Sequence, residues 1–250
     1  MVTTLTIGTL NLRNLADRWE ERLPLLLADM AASQPDLLGL QECVYPIQQD
    51  RLLGAAGPGR YEAHRAWAGR PEYGNSLLVR APLVAEAAER FDLGRNRSAL
   101  RVVIELAGGA RLGMVVTHLH HLTADEAVRD EQAASLVGWL DGGPGVDALA
   151  VVGDFNAGPD EPTYARMQDA GFRSAHLEAN GTEPPVTWPS GIVAPAMDTD
   201  GPPECLDYVW LRGRATALAC RLAWHRPAVG DATLYPSDHF GLIADVAVDG

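Results

Sequence analysis

The sequence predicts an α/β fold in which two β-sheets pack against each other. Three observations support this prediction: strand-like apolar runs outnumber helical ones, they continue to both ends of the chain, and no linker-like segment separates them. Packed layers of sheet and helix are the economical way to bury such elements. The chain has 250 residues, which suffices for one large domain, and we expect a single domain over residues 1–250.

Apolar runs rich in β-branched residues, several of them alternating with polar residues, mark the predicted strands. In chain order they lie at residues 5–12, 37–40, 61–64, 76–79, 84–91, 99–106, 112–117, 148–152, 206–211, 217–224 and 240–248. Gly108 and Gly109 stand between two of these runs and favour a hairpin turn. The run at residues 148–152 is the most apolar, and it leads directly into Gly153-Asp154-Phe155-Asn156.

Apolar residues spaced three and four positions apart predict helices between the strands. These helices lie at residues 16–32, 47–53, 124–140 and 162–170. Gln34-Pro35-Asp36 ends the first helix, and Gly57-Pro58-Gly59 forms a turn after the second. Residues 181–204, dense in Pro, Gly and Thr, form the longest irregular segment. Such a long loop is usually functional or disordered.

The composition is that of an acidic globular protein, with a formal charge of −13. This charge argues against a tight electrostatic hold on nucleic acid, but not against an enzyme that meets phosphate through a bound metal. No apolar run reaches about 18 residues, which excludes a membrane span, and the N-terminus resembles no secretion signal. Cys43, Cys205 and Cys220 are too scattered for a disulfide framework or a zinc knuckle, so we expect a reducing, cytoplasmic setting.

Seven short segments place a carboxylate, amide or imidazole at the end of an apolar run. They are Thr9-Leu10-Asn11, Leu40-Gln41-Glu42, Gly74-Asn75-Ser76, Thr117-His118-Leu119, Gly153-Asp154-Phe155-Asn156, Leu206-Asp207-Tyr208 and Ser237-Asp238-His239. A sheet fixes its strand ends rigidly, so polar groups there are well placed for chemistry. We therefore expect the fold to bring these segments to one pocket.

Three of the carboxylates have a chemical interpretation of their own. Asp154 and Asn156 lie two residues apart, so on extended backbone both can address one ligand; a simple turn is the alternative. Asp207 sits in an apolar run, where a carboxylate needs a partner, and a histidine is the expected one. Glu42 also ends an apolar run, and hard cations such as Mg²⁺ take one or two such carboxylates.

His118, His120 and His121 cluster after a predicted strand. Alternation places His118 and His120 on one face of the strand and His121 on the other. A zinc site is conceivable, but no His or Cys pair elsewhere completes a tetrahedral set. We therefore expect one histidine to contact phosphate and the other two to be structural or exposed.

Taken in this order, the seven segments resemble the endonuclease/exonuclease/phosphatase superfamily. The resemblance spans residues 4–248 and is nearest to bacterial-type members, through Tyr73-Gly74-Asn75 and Ser237-Asp238-His239-Phe240-Gly241. It implies a four-layer α/β sandwich, with two mixed β-sheets face to face and helices outside. It also implies Mg²⁺-dependent hydrolysis of a phosphate ester, with Mn²⁺ able to substitute.

The resemblance further implies a role for each residue that matches a family motif. Glu42 is the implied principal metal ligand, with Asn11 and Asp238 beside it. Asp154 is the implied residue that orients and deprotonates the attacking water. The other implied catalytic residues are Asn156 and His118 at the phosphate, and His239, paired with Asp207, at the pentacovalent phosphorus. Arg97 and Asn75 are the implied substrate contacts.

The motifs leave the substrate open. We expect a phosphodiester in nucleic acid or a nucleotide; a phosphomonoester, a phospholipid or a sugar phosphate is the alternative on the same fold. A binding protein without activity is the rival class, against which Glu42, Asp154 and His239 argue. Trp188 lies in the loop that leads into Asp207, so it either stacks on the substrate or packs the loop onto the body. No protein partner can be inferred.

Overall fold

The computed structural model describes residues 1–195, 197 and 201–250. Within these residues, two six-stranded β-sheets pack face to face, and helices cover their outer faces. Both sheets are mixed, because each contains one parallel pair among antiparallel neighbours. The four-layer α/β sandwich is therefore confirmed.

The strands, numbered along the chain, are β1 (Val2–Asn11), β2 (Leu37–Val44), β3 (Tyr61–Ala68), β4 (Arg70–Arg80), β5 (Glu89–Gly94), β6 (Arg97–Glu105), β7 (Arg111–His118), β8 (Ala148–Asp154), β9 (Arg173–Ser174), β10 (Asp207–Gly213), β11 (Ala215–Ala223) and β12 (Gly241–Asp249). The first sheet has the order β11-β12-β1-β2-β4-β3 and the second the order β5-β6-β7-β8-β10-β9. The parallel pairs are β1–β2 and β7–β8, and they lie near the middle of their sheets.

The helices are α1 (Trp19–Ser33), α2 (Asp50–Ala56), α3 (Glu126–Asp141), α4 (Pro162–Asp169) and α5 (Ala175–Asn180). The first sheet packs against α1, where Leu26 and Met30 are buried with Leu40. The second sheet packs against α3 and α4 through side chains such as Leu136 and Met167. The apolar spacing of α1 and α3 follows from this one-sided burial.

The main core lies between the two sheets. Inward-facing side chains such as Ile7 and Val79 of the first sheet meet Val116 and Val152 of the second, and all four are fully buried. The opposite faces of the central strands contribute to the outer cores beneath the helices. Both faces of the central strands are thus buried, one against the other sheet and one against the helices. This explains why the sequences of these strands are almost continuously apolar.

The local predictions fail where an element is short or depends on its neighbours. The six-residue α5, whose Ser174 Oγ accepts a bond from the Leu177 N–H, is too short for a periodic signal. The helix predicted from residue 47 begins instead as a π-helical turn, Tyr45–Gln49, ahead of α2. The strand predicted from residue 84 begins at Glu89, because the preceding segment makes only a single bridge, from Ala85 to Ile104.

The three cysteines are free thiols, and all are buried. Cys43 is fully buried and packs under α1 and α2 as a small apolar side chain of the outer core. Among the described helices, none is both long and apolar enough to cross a membrane.

Candidate active site

Strand ends from both sheets converge on one cavity of about 660 Å³. The face of β8 that buries Val152 between the sheets turns polar at its last residue, Asp154. In the pairing register Asp154 lies opposite His118 of β7 on one side and Asp207 of β10 on the other. Asn11, at the end of β1, reaches the same carboxylate from the other sheet. The expected convergence of polar strand ends is thus observed.

The structure brings the predicted site residues together. Those that line the cavity are Glu42, Arg97, His118, Asp154, Asn156, Trp188, Asp238 and His239. Asn11 and Asp207 are fully buried and contact its floor. Asn75 lines a small recess shared with Glu42 and His118, and its Nδ2 donates to the Ser98 carbonyl at 2.7 Å.

Asp154 lies at the centre of the site, where its carboxylate contacts residues from both sheets. Its Oδ2 accepts a bond from Asn11 Nδ2 at 2.9 Å, and its Oδ1 accepts one from the Asn156 backbone N–H at 2.9 Å. Two imidazole nitrogens lie near the same Oδ2, Nε2 of His118 at 3.4 Å and Nε2 of His239 at 3.7 Å. Burial raises the pKa of Asp154 to about 6, assisted by the charge of Asp207 and opposed by His239.

His239 is held by Asp207, as the sequence predicts. The His239 Nδ1 and Asp207 Oδ2 atoms lie 2.8 Å apart, and both side chains are buried. Burial alone would lower the pKa of His239, but the carboxylates of Asp207 and Asp154 raise it to about 10. This raised pKa makes His239 an imidazolium near neutral pH. Thr187 Oγ1 fixes the start of β10 by accepting bonds from the N–H groups of Leu206 and Asp207.

His118, unlike His239, is neutral, because Arg97 donates a hydrogen bond to its ring. Arg97 Nη1 lies 2.9 Å from His118 Nδ1, and Arg97 Nη2 lies 3.1 Å from His121 Nδ1. A guanidinium has only donors, so Nδ1 of each histidine must be the unprotonated acceptor. Burial and then the charge of Arg97 lower the pKa of His118 well below its usual value. Asp154 thus lies between a neutral imidazole and a charged one.

The prediction that His118 and His120 share a face is wrong. β7 ends at His118, so strand alternation does not continue, and His118 and His121 approach Arg97 together. His120 Nε2 lies instead 2.8 Å from Asp125 Oδ2, and its backbone N–H donates to the Gln132 side chain. His120 therefore anchors the chain between β7 and α3.

Glu42 reaches the cavity through an irregularity in β2. In regular alternation it would share the face of Leu38 and Leu40, which pack against α1. The register with β4 shifts between Leu40 and Cys43, and Glu42 has a φ of 51°. This bulge turns Glu42 toward the second sheet and leaves Cys43 in the outer core.

Glu42 and Asp238 form a pair of carboxylates suited to a cation. Burial, and then the charge of Asp238, raise the pKa of Glu42. Asn14 Nδ2 donates to Glu42 at 2.6 Å, and Arg13 Nε lies 3.6 Å from Asp238 Oδ2. Together with the Asn11 amide, this is an all-oxygen donor set of the kind that Mg²⁺ and Mn²⁺ prefer. The residues present therefore fit a hard divalent cation.

A second group of ligand-type atoms, on Asp154, Asp207 and His239, has members within 4.8 Å of one another. This group fits a metal less well, because two of its ligand-type atoms, His239 Nδ1 and Asp207 Oδ2, already bond to each other. The His239 Nδ1 faces Asp207, and its raised pKa keeps the ring protonated and without a lone pair. The oxygen donors of Glu42, Asp238 and Asn11 therefore fit a hard cation better than this group does.

The loop at residues 181–204 forms one wall of the cavity. Trp188 and Glu204 form a bridge across its base, and the Phe240 N–H donates to the Thr187 carbonyl. The half-buried Trp188 ring lines the cavity, and its Nε1 lies 3.4 Å from Asp238 Oδ2. The central residues of this loop, 196 and 198–200, lie outside the described residues.

Two further residues organise the site and are absent from the sequence predictions. Asn14, on the turn after β1, binds Glu42. Arg22 of α1 is fully buried and donates to backbone carbonyls on both sides of the site, including Ala16 and Pro236, each at 2.8 Å. It therefore ties the turn after β1 to the segment that carries Asp238. The signal in the sequence is an arginine on the apolar side of a predicted helix.

The comparisons with known proteins agree with this geometry. Residues 8–239 match the Endonuclease/Exonuclease/phosphatase family. The chain is 31% identical to nocturnin of Homo sapiens over 260 aligned positions, which cover 91% of this chain and 58% of nocturnin. The chain thus spans little more than half the length of this relative.

Several solved structures have the same fold. The human nocturnin catalytic domain with bound sulfate has a TM-score of 0.77 at 24% identity, covering 98% of this chain and 94% of that chain. D. rerio TDP2 in complex with a single-strand DNA product has a TM-score of 0.80 at 18% identity, covering 98% and 99%. An endonuclease/exonuclease/phosphatase from Bacteroides vulgatus has a TM-score of 0.79 at 20% identity, covering 99% and 100%.

The family match covers most of the chain, and the solved structures share its two-sheet architecture. The residues that line the cavity all lie within the matched residues 8–239. By sequence, fold and the arrangement of its strand ends, this chain belongs to the Endonuclease/Exonuclease/phosphatase family.

Proposed function

We propose that this chain hydrolyses a phosphodiester, in nucleic acid or a nucleotide, by direct attack of water with a divalent cation bound. The surroundings of Asp154 carry the proposal. Its buried carboxylate has a neutral and a charged imidazole at 3.4 and 3.7 Å, in a cavity that also contains Glu42 and Asp238. A base, two donors to phosphate and a cation site thus share one space.

Asp154 is the proposed base. Its pKa of about 6 lets it be ionised at neutral pH and still accept a proton from water as the water attacks. Asn11 and the Asn156 N–H hold the carboxylate from both sides, so its orientation is fixed before substrate binds. Such preorganisation is a large part of enzymatic rate enhancement.

The two histidines are the proposed phosphate ligands. His118 presents an Nε2–H because its Nδ1 accepts from Arg97, so it can donate to a phosphate oxygen without adding charge. His239 brings a positive charge, which stabilises the negative charge that builds on the oxygens of pentacovalent phosphorus. Asp207 maintains both the charge and the orientation of His239.

Glu42, Asp238 and Asn11 are the proposed cation ligands. When bound, Mg²⁺ or Mn²⁺ supplies Lewis acidity toward a phosphate oxygen. Asn14 donates to Glu42 at 2.6 Å and holds that carboxylate in place, and Trp188 Nε1 lies 3.4 Å from Asp238 Oδ2. The all-oxygen donor set supports these ions over Zn²⁺, which favours nitrogen and sulfur.

Two observations support a nucleic acid or nucleotide as substrate. TDP2, which shares this fold, has been crystallised with a single-strand DNA product. The Trp188 ring at the cavity wall provides a surface on which a base can stack. The formal charge of −13 favours a short segment or a nucleotide over a long duplex, because it provides no general attraction for DNA.

The direct test is hydrolysis of bis(4-nitrophenyl) phosphate and of 4-nitrophenyl phosphate. We expect faster turnover of the diester, no turnover in EDTA, and recovery with Mg²⁺ or Mn²⁺. Full activity in EDTA contradicts the metal mechanism, and recovery with Zn²⁺ alone contradicts the oxygen ligand set. Faster turnover of the monoester contradicts the proposed phosphodiesterase activity and identifies the chain as a phosphatase.

The cation site has its own test, in Glu42→Gln. We expect Mn²⁺ affinity, measured by electron paramagnetic resonance, to fall at least about 100-fold, since even outer-shell changes cost about 10- to 100-fold. Asp50→Asn, which removes one exposed carboxylate on α2, is the control and should keep the affinity. If Asp207→Asn weakens Mn²⁺ binding while Glu42→Gln does not, the cation belongs to the Asp154, Asp207 and His239 group instead.

A further inference from the structure

A second cavity of about 380 Å³ adjoins the catalytic one. The two cavities share Tyr73, Arg97 and His121 as lining, so a ligand can extend from one into the other. The second cavity also contains Arg70 and Arg95, and no carboxylate of the described residues lines it. The lining of this cavity is therefore positively charged, whereas the chain as a whole has a formal charge of −13.

The arginines of this cavity differ from most arginines of the chain in lacking an ion pair with a described residue. Every cationic side chain of the chain other than histidine is an arginine, and most form an ion pair, from Arg13 with Asp17 to Arg221 with Asp245. Arg70, Arg95 and Arg97 have no carboxylate within ion-pair distance among the described residues. Three such charges at one cavity repel one another unless an anion lies between them.

The cavity is formed where a hairpin of each sheet meets the other. Arg95 and Asn96 occupy the tip of the β5–β6 hairpin with φ values of 53° and 58°, and Asn96 packs against Gly69 of the β3–β4 hairpin. A side chain such as arginine adopts this left-handed backbone only at a cost. The turn thus holds Arg95 at the same cavity as Gly69 and Arg70 of the β3–β4 hairpin.

Two of the three guanidinium groups are oriented by neighbours. Arg70 lies 5.3 Å from the centroid of the Tyr73 ring, at a distance typical of cation–π contact. Arg97 is fixed by His118 and His121, and its other donors remain at the boundary of the two cavities. Guanidinium groups bind phosphate through paired, charge-assisted hydrogen bonds.

We infer that Arg70 and Arg95, with Arg97 at the boundary, bind a second phosphate group of the substrate. This inference rests on the proposed function, which places the reacting phosphate at Asp154. The substrate then carries two phosphates on one small molecule, as in a 5′-phosphorylated dinucleotide or a sugar bisphosphate. A simple diester occupies only the catalytic cavity.

Equilibrium binding in EDTA tests the second phosphate without any turnover. The first pair of ligands is dithymidine phosphorothioate with and without a 5′-phosphate, and the second is inositol 1,4-bisphosphate against inositol 1-phosphate. Two charge-assisted contacts correspond to about a tenfold or greater gain in affinity from the added phosphate. The pair of ligands that shows this gain identifies the carrier of the second phosphate.

The variant that tests the residues is Arg70→Gln/Arg95→Gln, with Arg60→Gln as the matched control. Arg60 is exposed, lacks a carboxylate partner among the described residues and lies before β3, at the far end of the sheet. We expect the double variant to lose the gain and the control to keep it, with unchanged melting temperatures.

The inference is overturned if the added phosphate brings no gain in either pair of ligands, or if the gain survives in the double variant. Failure of the proposed function shows separately, as absence of metal-dependent hydrolysis of bis(4-nitrophenyl) phosphate by the unmodified protein. That substrate has no second phosphate, and the binding experiment requires no catalysis, so each result stands alone.

Discussion

We propose that Asp207 acts on the reaction through His239, because Asp207 Oδ2 lies 2.8 Å from His239 Nδ1. We expect His239→Ala to lower kcat by about 10²- to 10³-fold, the scale for loss of one transition-state donor. Asp207→Asn should cost less, because the imidazole remains present with a lower pKa and a looser orientation. The measurement is steady-state hydrolysis of bis(4-nitrophenyl) phosphate at saturating Mg²⁺.

The double variant decides whether the two residues act as one unit. If Asp207 works only through His239, adding Asp207→Asn to His239→Ala changes kcat little further. A double variant whose loss equals the product of the two single losses would falsify the coupling.

Trp188 has two contacts with separable consequences, its ring face on the cavity and its N–H near Asp238. We expect Trp188→Ala to raise KM for a dinucleotide about tenfold, as for loss of one stacked base, and to leave small aryl phosphates nearly unaffected. Trp188→Phe keeps a ring but removes the N–H, so it should largely preserve KM. An equal loss on both substrates, or a fall in melting temperature that explains it, assigns Trp188 to loop packing.

At the scale of single elements, the end of β8 depends on Gly153. Its φ is 149°, and an added Cβ would lie 2.0 Å from the Thr117 carbonyl oxygen of β7. We expect Gly153→Ala to destabilise the fold by at least about 3 kcal/mol, because strain and a backbone clash coincide. Urea unfolding measures this change in free energy.

The control for this substitution is Gly59→Ala. Gly59 also has a positive φ, 72°, but nothing lies within 4 Å of its added Cβ. Left-handed strain alone costs about 1–2 kcal/mol. Similar losses in the two variants would show that the approach of β7 to β8 does not require glycine.

At the scale of the whole molecule, the site depends on the spacing of the two sheets, since Glu42 comes from one and Asp154 from the other. Gly39 of β2 is a point of close contact, where an added Cβ would lie 2.4 Å from Val152 Cγ2 and 3.0 Å from Val116 Cγ2. We expect Gly39→Ala to cost about 1–3 kcal/mol by overpacking, and to lower kcat by displacing Glu42.

Val152→Ala removes the nearest methyl group and leaves a cavity of its own. In the double variant the new methyl fills part of that cavity, so we expect destabilisation at least about 1 kcal/mol smaller than the sum of the single changes. Urea unfolding of all four proteins measures this coupling. Additivity to within about 0.5 kcal/mol rules out a tight contact between the sheets at Gly39.

The sequence by itself determined the fold class, most strands and the residues that surround the cavity. Local patterns suffice for this, because β8 is apolar on both faces and its polar residue comes at its end. Asn11, His118, Asp154 and Asp207 all occupy positions that alternation assigns to the inner faces of the sheets. A period of two carries that information within a single strand.

Only the tertiary structure decided the direction of Glu42, the partners of the histidines and the roles of Arg22 and Arg97. Glu42 faces the cavity because of a bulge against β4, which depends on pairing between distant segments. Which imidazole is charged depends on whether Asp207 or Arg97 lies against its Nδ1, and both come from other strands. Charge state and direction arise from contacts across the two sheets, and the pattern along one strand does not contain them.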